Sequence, residues 1–195
     1  AELHCLSNFT FLRGASHAEE LVKQAIKLGY QALAITDECT VSGVVRAYVA
    51  ARDTSLKLII GSEFRLNDGL RLVVLACNRF GYAQLCQLIS RGRRAAEKGS
   101  YSLERTDLDL LGDACLVLWL PGAQPDPGEG RWLKRRFQGC LWVAVELLAD
   151  GNDRQRLHTL QELGGELDLP LVASGDVHMH VRGRRALQDT LTAIR

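Results

Sequence analysis

The chain of 195 residues carries 24 Lys and Arg against 23 Asp and Glu, with 47% hydrophobic and 24% charged residues. A formal charge of +1 excludes a global electrostatic pull toward nucleic acid or an anionic membrane, and the composition fits one soluble globular domain. No apolar run approaches the roughly 20 residues that a bilayer requires, and Ala1-Glu2-Leu3-His4 does not read as a secretory signal, so a cytoplasmic location is expected.

Residues 3–6 read as a short strand, followed by a polar and aromatic loop at 7–15. Ser16 with Glu19 three residues on makes a capping box. It opens a helix with an apolar stripe of Leu21, Val22, Ala25, Ile26 and Leu28 that stops at Gly29. A strand at 30–35 closes on Thr36-Asp37-Glu38, and a helix near 42–53 presents Val44, Val45, Ala47, Tyr48 and Ala51 to the core. A third strand, 56–60, stops at Gly61-Ser62-Glu63. Asn67-Asp68-Gly69 then signals a hairpin, since Asp-Gly supplies the positive φ of a tight turn. A helix at 81–97, a strand at 114–120, a Pro/Gly-rich loop at 121–130 and a short basic helix at 131–138 follow. Next come a strand at 140–148, a helix at 152–167, a buried strand at 171–173 and a terminal helix. The repeated strand-helix alternation predicts an α/β fold with a mainly parallel sheet. No linker divides residues 1–195. The terminal helical pattern running up to Arg195 reads as part of a longer polypeptide. Six scattered cysteines (Cys5, Cys39, Cys77, Cys86, Cys115, Cys140), with no CxxC pair, read as reduced core fillers rather than a disulfide or zinc framework.

Chemistry gathers at the strand ends. His4 lies in the first strand; Asp37 and Glu38 follow the second; Glu63 follows the third. The last strand runs into Asp176, His178 and His180, which an extended backbone would place on one face. Histidines and carboxylates are metal ligands, and the C-terminal ends of parallel barrel strands are where such folds carry their sites.

The stretches LHCLSNFTFLRGAS, ALAITDECTVSGVVRAY, LIIGSEF, RLVVLACN, VASGDVHMH and RRALQDTLTAIR resemble the polymerase-and-histidinol-phosphatase (PHP) domain of bacterial C-family DNA polymerases. They are most similar to the error-prone paralogue of the replicative polymerase III alpha subunit. The resemblance covers the whole chain. It implies a distorted (β/α)7 barrel and a parent DNA-directed DNA polymerase that uses Mg²⁺ in other domains and acts in DNA replication, repair and translesion synthesis past damage. It further implies a barrel mouth where histidines and carboxylates can hold a metal cluster that activates water against phosphoesters. The terminal helix would lead toward the polymerase body.

Carried over residue by residue, His4 matches the first histidine of the HxH motif, Glu63 the bridging glutamate, and Asp176 and His178 the terminal DxH motif. Asp37 matches the aspartate before the second-motif histidine, and that histidine is Glu38. Other positions depart. The second histidine of HxH is Leu6, the motif-one aspartate is Arg13, a later histidine is Arg71, and a ligand after Leu118 has no counterpart. A guanidinium cannot coordinate. Two unit charges ~4 Å apart repel by ~4 kcal/mol even at an effective dielectric of 20, and a dication doubles that. The expectation is therefore a degenerate, catalytically inactive PHP scaffold with no catalytic residue. His4, Glu38, Glu63, Asp176 and His178 are vestigial ligands, with no metal expected in this domain and one Zn²⁺ or Mn²⁺ as the upper limit. Asp37 and His180 surround them, and Arg13 and Arg71 supply counter-charge in place of metal.

Two alternatives stand beside this. One is a metal-dependent phosphoesterase or 3′–5′ proofreading exonuclease, which intact HxH and motif-one residues would signal. The other is a DNA- or protein-binding module using Arg91/Arg93/Arg94, Lys134/Arg135/Arg136 or Arg182/Arg184/Arg185. Without interleaved aromatics these clusters read first as solvated faces. His17 and His158 read as surface residues. Expected partners are the other polymerase domains of the same chain, DNA through the parent enzyme, and damage-tolerance accessory proteins, with no membrane.

Overall fold

A computed structural model describes all 195 residues, which form two compact units: residues Ala1–Glu63 with Asp176–Arg195, and residues Phe64–Gly175.

The first unit contains α1 (Ala18–Lys27), β1 (Ala32–Ile35), α2 (Val44–Ala51), most of β2 (Lys57–Arg65), a 3-10 turn at Arg182–Arg184 and α6 (Arg185–Ile194). β1 and β2 run parallel, in register from Ala32 opposite Lys57 to Ile35 opposite Ile60, with α2 in the crossover. A core of Cys5, Leu21, Val22, Leu33, Ile35, Ala47 and Leu56 joins α1, β1 and α2.

The expected first strand is reduced to two isolated bridges, Glu2 to Leu33 and Cys5 to Val177. Leu6 N–H donates to Val177 O at 2.8 Å and Val177 N–H to His4 O at 3.0 Å, so residues 176–178 are tied to the N-terminal segment. The cap of α1 is His17 rather than Ser16: the His17 N–H donates to Glu20 Oε2 at 2.9 Å, one residue later than the sequence spacing indicated. Ser16 is free of that role because its hydroxyl serves His180. On α1 the core side is Ala18, Leu21, Val22 and Ala25, while Ile26 and Leu28 are exposed. On α2 it is Val44, Ala47 and Ala51, leaving Val45 and Tyr48 in solvent. A helix this rich in apolar residues offers more than one stripe, and packing against β1 and α1 selects the one with the small side chains.

The second unit contains β3 (Arg71–Ala76), α3 (Arg79–Arg94), a 3-10 helix at Arg105–Leu110, β4 (Cys115–Trp119), α4 (Pro127–Arg136), β5 (Leu141–Val145), α5 (Asp153–Leu167) and β6 (Leu171–Ala173). β3 pairs antiparallel with β4, and β4–β5 and β5–β6 pair parallel. The turn before β3 closes with Leu66 N–H on Leu70 O at 2.8 Å and Gly69 at φ +95°. Asn78 caps α3 through Phe80 and Gly81 N–H, and Gly81 lets α3 approach β4 so closely that a Cβ there would lie 2.0 Å from Ala114 O.

Residues 127–130, expected in a loop, are the first turn of α4. Asp126 accepts from Gly128 N–H, and Pro127 sits in the first turn where its missing N–H costs nothing. β6 is only partly buried, with Ala173 exposed. Of the cysteines, Cys5, Cys39 and Cys115 are buried fillers, Cys77 is exposed, and Cys86 and Cys140 lie between. No helix is long and apolar enough to cross a membrane.

Candidate metal centre

The centre lies in the first unit and starts from strand register. β1–β2 pairing continues past the end of β1: Glu63 N–H donates to Thr36 O at 3.0 Å and Cys39 N–H to Glu63 O at 2.8 Å. The resulting parallel bridge sets Glu38 beside Glu63. Two adjacent carboxylates repel and require positive charge. Arg13 supplies it, with NH1 donating to Glu38 Oε2 at 2.6 Å and NH2 to Glu63 Oε2 at 2.9 Å. Burial works to lower the Arg13 pKa, but the charge and hydrogen bonds of Glu63 and Glu38 raise it above the ordinary arginine value, so the guanidinium is locked on.

Glu63 is 1% exposed and its Oε2 also meets Nε2 of the fully buried His4 at 3.1 Å. The other ring nitrogen of His4 lies 3.7 Å from Asp176 Oδ1. Glu2 steadies His4 by accepting from its backbone N–H at 2.8 Å. Asp176 in turn meets His178 Nε2 at 2.9 Å. Burial alone would raise the Asp176 pKa, but the hydrogen bond from His178 and the charges of His4 and His178 hold it below the usual carboxylate value. One ligand atom from each of His4, Glu63 and Asp176 lies within 4.8 Å of the others, a spacing that suits a single ion.

Asp37 points the other way along the strand end and organises the loop that delivers Arg13. It accepts from Ser7 N–H, Ser7 Oγ and Thr10 Oγ1, each at 2.7 Å. Burial pushes its pKa up, with those hydrogen bonds pulling against the rise. Arg13 and Gly14 N–H then donate to Thr10 O at 3.0 Å, and Leu12 adopts a left-handed φ of +62°. Gly43 leaves room for this anchor, since a Cβ there would lie 2.5 Å from Asp37 Oδ2. Ser7, Thr10, Gly43 and Glu2 were not singled out from sequence. Their only signal is two hydroxyl residues spaced within a loop that must be held by a buried acid.

His180 is not on one face with Asp176 and His178. Asp176 has φ +45°, so the segment is not extended, and His180 turns to Ser16, whose Oγ is 2.7 Å from its Nδ1. Leu6 is fully buried. Arg71 opens β3 in the second unit and is partly buried. His17 is exposed, and His158 stands in solvent beside Glu162 at 3.4 Å.

Comparison with known proteins places this geometry. A family model described as "PHP domain" matches residues 2–188. The chain is 57% identical over its whole length to an error-prone DNA polymerase of Dechloromonas aromatica and 59% identical to one of Methylococcus capsulatus. It spans about a fifth of the length of these relatives, 20% and 19%. Among solved structures it is similar to a protein described as a metal-dependent phosphoesterase from Bifidobacterium adolescentis, with TM-score 0.64 and 16% identity over 91% of this chain and 87% of that one. An amidohydrolase of Chromobacterium violaceum gives TM-score 0.68 at 14% identity, again over 91% and 87%. The α/β fold is thus the one those hydrolases share, and the chain belongs to the PHP domain family.

Proposed function

We propose that this PHP domain is a scaffold of an error-prone, translesion DNA polymerase and that its own hydrolytic chemistry has been replaced by an internal ion-pair network. The observation that carries this reading is Arg13, placed between Glu38 and Glu63 at 2.6 and 2.9 Å. A guanidinium there repels a cation and occupies the Glu63 oxygen that a metal cluster would share. Leu6, buried where the motif asks for a ligand, further depletes the ligand set that a cluster requires. The parent polymerase would use Mg²⁺ in other domains, meet DNA there, work in the cytoplasm, and recruit damage-tolerance accessory proteins.

A second reading rests on the His4, Glu63 and Asp176 donors and on the phosphoesterase among the structural neighbours. In it the domain keeps a single-ion phosphoesterase site. A Zn²⁺ or Mn²⁺ ion held by those three residues would supply Lewis acidity and a more acidic bound water. His178 would orient Asp176, and Glu38 would keep Arg13 beside the site.

Metal uptake separates the two. Purified, tag-free protein is equilibrated with Zn²⁺, Mn²⁺ and Mg²⁺, dialysed and measured by elemental analysis, beside a His4→Ala/Asp176→Ala double variant. The scaffold reading expects near-zero stoichiometry in both. One ion per chain, lost in the double variant and accompanied by release of nitrophenol from bis-p-nitrophenyl phosphate, would establish the second reading instead.

A further inference from the structure

In the second unit a groove of about 610 Å³ opens where the end of α4 meets the starts of β5 and β6. Its floor is apolar, built from buried Leu141 and Leu169 with the partly buried ring of Trp142. One wall is α4, which sets Arg131, Lys134 and Arg135 at i, i+3 and i+4, the spacing that shares one helix face. The opposite wall is the end of α5. Arg131 reaches Glu166 at 3.1 Å, and Lys134 donates to Leu167 O at 2.8 Å and Asp168 Oδ2 at 3.1 Å, satisfying a C-terminal carbonyl of that helix. Arg135 is exposed and engages no acceptor of the chain.

We propose that this groove binds an acidic peptide segment carrying an apolar anchor residue. The anchor lies on Trp142 and Leu169, and a flanking carboxylate pairs with Arg135. Charge decides the class of partner. The cations line only the α4 side, and Asp168 lines the other. A phosphodiester backbone, which carries charge at every residue, is repelled by that second wall. A peptide can place one or two carboxylates beside α4 and keep its apolar atoms toward α5. The volume lies within the range that encloses a few side chains.

Fluorescence anisotropy with a fluorescein-labelled decapeptide alternating aspartate with leucine and phenylalanine tests this. Controls are the same peptide with serine for aspartate, and fluorescein-labelled oligothymidine. The acidic peptide should bind saturably, bind more weakly as salt rises, and lose about tenfold in affinity with Arg135→Glu. The Arg135→Glu protein should then prefer a peptide with lysine for aspartate, a reversal that loss of folding cannot produce. Equal affinity for wild type and Arg135→Glu, binding as tight by the serine peptide, or displacement by oligothymidine below the concentration of competing peptide would overturn the proposal.

Discussion

Replacing Arg13 by alanine removes the guanidinium that Glu38 and Glu63 share. Breaking a buried ion pair by deleting one partner costs about 3–5 kcal/mol, because the remaining charge stays desolvated. Arg13 is 13% exposed and Glu38 25%, so the cost should fall toward the low end of that range. Chemical denaturation should show it as a lower midpoint with an unchanged slope. Arg13→Lys should recover part of the loss, since a point charge on a flexible stem cannot fork to both carboxylates as arginine does. An unchanged midpoint in Arg13→Ala would remove the electrostatic basis of the scaffold reading. The same residue explains why His4, Glu63 and Asp176 can sit close together: the charge they need for mutual tolerance comes from within the chain.

At the scale of elements, α1 shows how a helix end joins distant segments. Glu20 accepts from His17 N–H at 2.9 Å and from Arg184 at 2.5 Å, so one carboxylate caps α1 and ties down the turn before α6. Burial works to raise its pKa, but the His17 hydrogen bond and Arg184 hold it below the ordinary glutamate value. A folded-state pKa below the unfolded one means that the ionised group stabilises the fold above about pH 4.3, and that this contribution fades as pH falls through the lowered value. Glu20→Gln keeps an acceptor for the His17 N–H but loses the charge facing Arg184. It should therefore be less stable than wild type by about 0.5–1 kcal/mol at neutral pH and equal to it in acid. Thermal melts between pH 3 and 8 would show the two curves converging on the acid side. A gap that persists at pH 3 would assign the effect to packing rather than charge.

At the scale of the molecule, the first unit is assembled from two separated stretches, residues Ala1–Glu63 and Asp176–Arg195. The second stretch supplies Asp176 to the centre, Val177 to the bridge with Cys5, and His178 O to Ala15 N–H at 2.7 Å. Truncation after Gly175 should leave those buried backbone groups without partners, each costing about 1–3 kcal/mol. Hydrogen exchange should then show lost protection for residues 4–6, 15 and 34–36. Protection as high as in the full chain would mean that the N-terminal stretch holds its fold without the return segment.

The α/β class and the family were legible in the sequence because both rest on local order. Apolar runs of strand length, helix stops such as Gly29, and LHCL, GSE and GDVH stretches at strand ends need no knowledge of what packs where. His4, Glu63 and Asp176 were likewise visible, since a strand end fixes a residue's place to within one or two positions. What packing chooses was not visible. The core face of α2 fell to Val44, Ala47 and Ala51 because α1 and β1 accept small side chains, although Val45 and Tyr48 carry the same apolar signature. His180 left the ligand face because Asp176 takes a left-handed φ that no local pattern of a non-glycine residue announces. The pairing of Arg13 with two glutamates 25 and 50 residues away, and the anchoring of its loop by Asp37, were set by strand register and burial. Residue type determines which side chains can carry charge or bind metal; only the tertiary structure decides which charges must neutralise one another, because that depends on distances across segments that sequence order does not encode.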